Sequence, residues 1–136
     1  MINMIGRYLK KHSDWFYVVF RVMIGLLFFQ HGAQKLFGWF GAAGTVPALS
    51  LFWFAGIIEV IGGLAITLGV FTRLVAVIAI IEMIVAYFKV HNPTGLIPIV
   101  NKGELALLFL AAFLIIAVEG ARKTSLELAV SKKEMF

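Results

Sequence analysis

Four long apolar stretches, separated by short loop segments, constrain this chain more than any other feature of its sequence. A helix needs about 20 mainly apolar residues to cross a hydrocarbon core of about 30 Å. The predicted spans are residues 15–37, 50–71, 73–89 and 103–119, and all three prolines fall between them. The second and third spans almost adjoin, so they must form a tight helical hairpin. We therefore expect an all-α membrane protein with a single domain, an antiparallel four-helix bundle.

Composition excludes most soluble classes of protein. Of the 136 residues, 62% are apolar and only 14% are charged, against about 45–50% and about 25% in an average soluble domain. A globule of this size cannot bury so much apolar surface, whereas a lipid bilayer can cover it. The chain has no cysteine, which excludes disulfides, thiolate nucleophiles and cysteine-ligated metal clusters. We expect no intrinsic cofactor and no nucleic-acid partner.

The basic residues of the loops and termini predict the orientation. Eight of them fall on one side of the predicted membrane and three (Lys35, Lys89 and Lys102) on the other. The eight are Arg7, Lys10, Lys11, Arg73, Arg122, Lys123, Lys132 and Lys133. Cytoplasmic loops carry the excess of lysine and arginine. We therefore expect a multi-pass protein of the cytoplasmic membrane with both termini in the cytoplasm. The first span is interpreted as a retained anchor, and the tail, residues 120–136, as a solvated segment.

Ionisable residues inside the spans are the candidates for function, because each costs about 2.5–3.5 kcal/mol at the centre of a bilayer. They are Arg21, His31 and Lys35 in the first span, Glu59 in the second, Glu82 in the third and Glu104 at the start of the fourth. Helical phase places them on the same faces as small residues, which allow helices to approach closely. We expect these faces to point into the bundle.

Two interpretations of these charges remain open. In the structural one, Arg21 pairs with Glu82 or Glu59, and this buried charge network fixes the helix register. In the functional one, a polar pocket opens toward the outside and Glu59 is its most important residue. The predicted pocket residues are His31, Gln34, Lys35, Glu59, His91, Asn101 and Glu104. Such a set could hold a quinone carbonyl, pass protons or bind a metal, but its spacing matches no dedicated metal motif, so no metal ligand is assigned.

Three segments together resemble the DoxX family of small membrane proteins over residues 17–128. They read HGAQKLFGWFG from the end of the arginine-bearing first helix onward, FAGIIEVIGGLAITLGVFTR in the second helix and VAYFKVHNPTG at the end of the third. The family's recurrent polar positions correspond here to Arg21, His31, Lys35, Glu59, Arg73 and His91. Its closing segment resembles Gly-x-Gly-x-x-Ser-Leu-Asp, whereas this chain reads GARKTSLEL and lacks the second glycine and the aspartate.

The resemblance implies a four-helix integral membrane protein with a role in redox chemistry. The family takes its name from a thiosulfate:quinone oxidoreductase, and other members are membrane partners in redox or thiol-stress assemblies. The leading hypothesis is a membrane subunit that handles a quinone or a similar lipid-soluble redox molecule. The catalytic residues in this hypothesis are His31, Lys35 and Glu59: the first two would donate hydrogen bonds to a carbonyl, and Glu59 would exchange the proton. A redox partner protein would supply the electrons.

Two further classes of function are considered. Related proteins of the wider clan act as cargo receptors or assembly chaperones, so the alternative is a non-catalytic assembly factor, receptor or scaffold with structural charges. A small transporter ranks last, because four short helices leave little room for alternating access. Glycine-rich helix faces are compatible with a homodimer.

Overall fold

The computed structural model describes residues 2–132, and this part of the chain is helical without any strand. The helices are α1 (Ile2–Lys11), α2 (Ser13–Phe37), α3 (Leu51–Leu68), α4 (Thr72–Ala86), α5 (Pro98–Asn101), α6 (Glu104–Glu119) and α7 (Leu126–Ser131). A π-helical turn, Tyr87–His91, and a short 3₁₀ turn, Asn92–Thr94, extend α4. Lys133, one of the basic residues counted for orientation, lies outside the described residues.

Three helical segments of the described chain are long and apolar enough to cross a membrane: Ser13–Phe37, Leu51–Leu68 and Thr72–Thr94. The fourth predicted span is also a helix, α6, but it has 16 residues, which correspond to about 24 Å. The all-helical fold is thus confirmed, and the first three predicted spans are helices long and apolar enough to cross a membrane, whereas α6 is shorter than a typical membrane-crossing helix.

The helix ends follow from local sequence signals. Ser50 precedes α3, and its side chain accepts a hydrogen bond from the backbone N–H of Trp53 at 3.2 Å, as an N-cap residue does. Gly38 and Gly69 end α2 and α3 with φ angles of 67° and 72°. Only glycine adopts this left-handed conformation without strain. The second predicted span therefore ends three residues early, at Leu68 rather than Phe71.

Glycines bring α2 and α3 into backbone contact. A Cβ atom on Gly32 would lie 2.6 Å from the backbone nitrogen of Val60, and one on Gly63 would lie 2.5 Å from that of Phe29. Real Cβ atoms do not approach other atoms this closely. The predicted stripe of small residues is thus confirmed as the contact between the two helices, and its closeness sets their relative register.

The second pair of long helices, α4 and α6, packs against the first pair through an apolar core. Its buried members include Phe28 of α2, Ile66 of α3, Met83 of α4, and Phe109 and Phe113 of α6. On the outside, large apolar side chains such as Ile61, Ile81 and Leu108 are more than half exposed. This distribution, with a small core and an apolar exterior, is what a lipid-facing bundle requires.

The bundle has two ends, which we call the loop end and the tail end. The loop end carries residues 38–50 and 87–103, and the tail end carries residues 69–71 and 120–131. At the N-terminus, α1 is a separate amphipathic helix that the sequence analysis did not predict. Met4, Ile5 and Tyr8 lie on its exposed apolar side and Lys10 on the other.

Candidate functional site

A cavity of about 430 Å³ lies between α3 and α4 toward the loop end. Pockets that hold small organic ligands have volumes of about 300–1,000 Å³. Its walls are mainly apolar side chains of the two helices, including Phe52, Ile58, Ile78 and Val90. Four ionisable residues also line it: Lys35, Glu59, Glu82 and His91. The cavity is therefore an apolar space with a small number of polar groups in its wall.

Lys35 and Glu59 form an ion pair in the wall of this cavity. The Lys35 ammonium contacts both carboxylate oxygens of Glu59, with an Nζ–Oε2 distance of 2.5 Å. The Glu59 side chain is 4% exposed and the Lys35 side chain 25%. The glycine contact of α2 with α3 makes the pair possible, because it brings Lys35 within reach of a carboxylate on the neighbouring helix. Lys35 and Glu59 both belong to the pocket predicted from the sequence, and both line this cavity.

Glu82 reaches the same cavity from α4. Its carboxyl group lies close enough to Glu59 to interact with it electrostatically. Both of its oxygens are buried, and neither has a hydrogen-bond donor among the described residues. The Glu82 carboxyl group is instead within hydrogen-bonding reach of the Glu59 carboxyl group, and two carboxyl groups can share a hydrogen bond only if one of them carries a proton.

His91 lies at the edge of the cavity, in the π-helical turn that follows α4. Its Nδ1 lies 3.0 Å from the backbone carbonyl of Asn101. Asn101 is 4% exposed and holds the loop together: its side-chain amide donates to the Gly95 carbonyl at 2.7 Å and its oxygen accepts from the Gly103 N–H at 2.7 Å. Asn101 thus positions His91 and does not itself line the cavity.

Three other predicted pocket residues lie elsewhere at the loop end and do not line the cavity as the described residues define it. The ring of His31 contacts that of Phe109 edge-on, with centroids 5.7 Å apart. The Gln34 side chain donates to the Phe40 carbonyl at 3.1 Å. Glu104 is exposed in the first turn of α6. The structure therefore brings together Lys35, Glu59 and His91 but not the whole predicted set.

Arg21 lies at the tail end, away from both buried glutamates. Its guanidinium donates to the backbone carbonyls of Ala121 at 2.6 Å and Thr124 at 2.7 Å, and the residue is 2% exposed. The expected pairing of Arg21 with Glu82 or Glu59 is thereby corrected, because Glu59 pairs with Lys35 instead. Arg21 fixes the tail to α2.

The segment after α6 is bound to the bundle, which corrects the interpretation of a solvated tail. The Tyr17 hydroxyl donates to the Gly120 carbonyl at 2.5 Å. The guanidinium of Arg122 lies 4.5 Å from the Tyr17 ring centre and forms ion pairs with Asp14 at 3.3 Å and Glu119 at 2.6 Å. The hydrogen bond with Glu119 raises the pKa of Arg122 above its usual value. These contacts tie the chain after α6 to the start of α2.

Glu127 connects the tail to the α3–α4 turn. Its carboxylate accepts from the Phe71 N–H at 3.2 Å, and its own N–H donates to the Gly69 carbonyl at 3.4 Å. A Cβ atom on Gly69 would lie 2.7 Å from both the Arg21 guanidinium and the Ser125 side chain. The sequence signal here is for α7 and not for this contact: Ser125 is its N-cap residue, whose side chain accepts from the Leu128 N–H at 2.9 Å, as serine does before helices.

Among the described residues, no group of three or more histidine, aspartate or glutamate side chains is arranged to hold a metal ion. The polar groups of the cavity are a lysine, two glutamates and a histidine at its edge. These groups are suited to hydrogen bonding and proton exchange with an organic molecule.

Comparison with known proteins adds a family to this geometry. The model of the DoxX family matches residues 16–92. The chain belongs to the DoxX family. A Haemophilus influenzae protein that carries the name "Uncharacterized protein" is 36% identical over 135 residues, which cover 92% of this chain and 98% of the relative. The Bacillus subtilis protein "Putative oxidoreductase CatD" is 31% identical over 121 residues, covering 85% of this chain and 87% of the relative. No solved structure matches the chain significantly.

The DoxX match includes all four ionisable residues of the cavity. It begins within α2 and ends at residue 92, so it contains α3, α4 and the π-helical turn, while α6 and the tail follow it. The DoxX segment of this chain is therefore also the segment that builds the cavity.

Proposed function

We propose that this DoxX-family protein is a membrane subunit of a redox assembly and that it binds a quinone or a similar lipid-soluble redox molecule between α3 and α4. The observation that carries the proposal is the apolar cavity of about 430 Å³ with Lys35 and Glu59 in its wall. Apolar walls with few polar groups favour a ligand that partitions into lipid and presents a carbonyl. A relative whose name includes the word oxidoreductase supports a redox role.

Lys35 supplies the hydrogen bond to the carbonyl oxygen. An ammonium group has three donors, and Glu59 receives two of them through its two oxygens, which leaves the third for a ligand. Glu59 holds the ammonium in place. His31, the other predicted donor, packs against Phe109, so of the two predicted donors only Lys35 lines the cavity. Reduction of a quinone requires two electrons and two protons, and a redox partner protein provides the electrons.

For the membrane topology we propose that α6 is the fourth span and that both termini lie in the cytoplasm. The α6 helix packs along α4, and its 16 residues can cross a locally thinned bilayer at a modest cost in free energy. The excess of basic residues at the tail end and near the N-terminus supports this orientation. The cavity then opens near the outer surface of the cytoplasmic membrane.

Binding of decylubiquinone to the purified protein in detergent or nanodiscs tests the proposal. We expect saturable binding that Glu59→Gln weakens about tenfold, because the substitution releases the Lys35 ammonium from its position in the cavity wall. The matched control is Glu104→Gln, which changes an exposed glutamate outside the cavity and should bind like the wild type. Absence of saturable binding, or equal affinities of all three proteins, would refute the proposal.

A scaffold or assembly factor is the second candidate, and the tail end favours it. There Arg21 is bonded to backbone carbonyls and Arg73 donates to the Ala117 carbonyl at 3.1 Å, so these two charged side chains stabilise the fold. In this case Glu59→Gln lowers stability and the recovery of partner proteins, but no quinone analogue binds. Affinity purification with mass spectrometry, run beside the binding assay, distinguishes the two candidates.

A further inference from the structure

We infer that Glu82 carries a proton in the resting protein and that its carboxyl O–H is the second hydrogen-bond donor to a ligand in the cavity. This inference rests on the proposed function and specifies its site. It moves the proton from Glu59, the residue that the sequence suggested, to the neighbouring carboxyl group. The ligand class that follows is a neutral molecule with carbonyl or ether oxygens, and not a cation.

The charges in the cavity wall do not balance if both carboxyl groups are ionised. One ammonium, that of Lys35, faces two carboxyl groups, those of Glu59 and Glu82. Lys35 contacts both oxygens of Glu59, and this pair is neutral as a whole. An ionised Glu82 would therefore add a net negative charge to an apolar space, beside a carboxylate of the same sign. Buried charges without a partner are unfavourable in such surroundings, so the neutral acid is the stable form.

His91 is the other basic side chain that could balance the negative charge of an ionised Glu82. His91 also lines the cavity, but it is nine residues further along the chain, or about 13 Å at the rise of a helix. Its Nδ1 is engaged with the Asn101 carbonyl. Lys35 interacts with Glu82 electrostatically, but its hydrogen bonds go to Glu59, and among the described residues no donor reaches the Glu82 oxygens.

A protonated Glu82 is a hydrogen-bond donor through its O–H group. A protonated carboxyl group has an O–H donor that must find an acceptor when it is buried. In the resting protein the Glu59 carboxylate is within reach as this acceptor. Glu82 also lines the cavity, so a ligand oxygen there can take the place of Glu59 as the acceptor. Lys35 offers its remaining N–H in the same wall. Together the two side chains provide two donors to one neutral oxygen-bearing molecule, and Glu82 can also deliver the proton that a reduced oxygen requires.

Infrared spectroscopy of the full-length protein in nanodiscs at neutral pH tests the proton directly. We expect the C=O stretch of a buried protonated carboxyl group, lost in Glu82→Gln and retained in Glu104→Gln. Addition of decylubiquinone should shift this band, because the O–H group of Glu82 changes its acceptor from the Glu59 carboxylate to a ligand oxygen. A spectrum without the band would overturn the inference, as would a band that persists in Glu82→Gln or that decylubiquinone leaves unchanged.

Binding measurements separate the donor from the charge. Glu82→Gln keeps a donor and should change the affinity for decylubiquinone less than twofold, whereas Glu82→Leu removes the donor and should weaken binding about 3- to 10-fold. An ionised Glu82 would instead bind the lipophilic cation tetraphenylphosphonium, and both substitutions would abolish that binding; this result would overturn the inference. Failure of the wild type to bind any quinone refutes the proposed function, whereas the infrared band alone decides the protonation of Glu82.

Discussion

The two partners of the Lys35–Glu59 ion pair differ in exposure, so replacing one or the other should lower the free energy of unfolding by different amounts. Lys35→Met leaves the Glu59 carboxylate, 4% exposed, without its partner. Removing one partner of a buried pair costs about 3–5 kcal/mol. Glu59→Gln instead leaves the Lys35 side chain, which is 25% exposed and can move its ammonium toward water, so we expect a cost of about 1–3 kcal/mol. The lysine substitution should therefore be the more destabilising one.

The double variant, Lys35→Met with Glu59→Gln, completes the cycle. Because it leaves no unpaired charge, its cost should be smaller than the sum of the single costs by about 1–3 kcal/mol. Reversible unfolding in mixed dodecylmaltoside–SDS micelles, followed by circular dichroism, measures each free energy. Lys102→Met and Glu104→Gln, which change exposed residues, are the controls and should stay within about 0.5 kcal/mol. Additive single costs, or a larger cost for Glu59→Gln, would refute the reasoning.

Three further predictions concern the rest of the bundle. Gly63→Ala places a Cβ atom 2.5 Å from a backbone nitrogen of α2 and should lower the free energy of unfolding by about 1–3 kcal/mol; Gly6→Ala, with open space around it, should not lower it. Arg21→Lys cannot reproduce the forked donors that reach the Thr124 carbonyl, so limited proteolysis should cut the tail faster, and unchanged cutting would argue against this anchor. Ser50→Ala removes an N-cap bond and should cost about 1 kcal/mol in the same unfolding assay; no change would show that the cap is dispensable.

The sequence predicts the helices and their inward faces well, because both depend on local patterns. Apolar stretches of sufficient length define the spans, and the 3.6-residue period places Arg21, Gly25 and Gly32 on one side of α2, where the structure buries them. Periodicity does not predict the axial level at which residues of two helices meet. Periodicity alone therefore predicts that Arg21 pairs with the glutamates of other helices, since all of these residues face inward.

The hairpin geometry contains the missing information. The helices α2 and α3 run antiparallel from a turn between Phe37 and Leu51, so residues equally far from the turn lie at the same level. Arg21 and Thr67 are each sixteen residues from it, and the structure joins them at 3.5 Å. Glu59 is only eight residues from the turn, a level that the long side chain of Lys35 can reach. The levels of residues in the two helices can be compared only once the ends of both helices are known.

The cavity and the bound tail are the parts that could not be predicted. The cavity depends on how α4 inclines against α3, and the tail depends on backbone carbonyls that accept from Arg21 and Tyr17. Backbone acceptors are present at every residue, so no sequence pattern identifies which of them a buried arginine will use. The amphipathic helix α1 lies outside the apolar stretches that predict the spans, so the span pattern does not predict it.

Photoaffinity labelling tests the central claim, that a lipid-soluble oxygen-bearing molecule binds between α3 and α4. The full-length protein in nanodiscs is irradiated with an azidoquinone, and the labelled peptides are identified by mass spectrometry. The account predicts labels on residues 51–58 and 78–90, with excess decylubiquinone preventing them and Glu82→Leu reducing them. Labels confined to the outer face of α2 and α6, or labelling that decylubiquinone does not compete for, would contradict it.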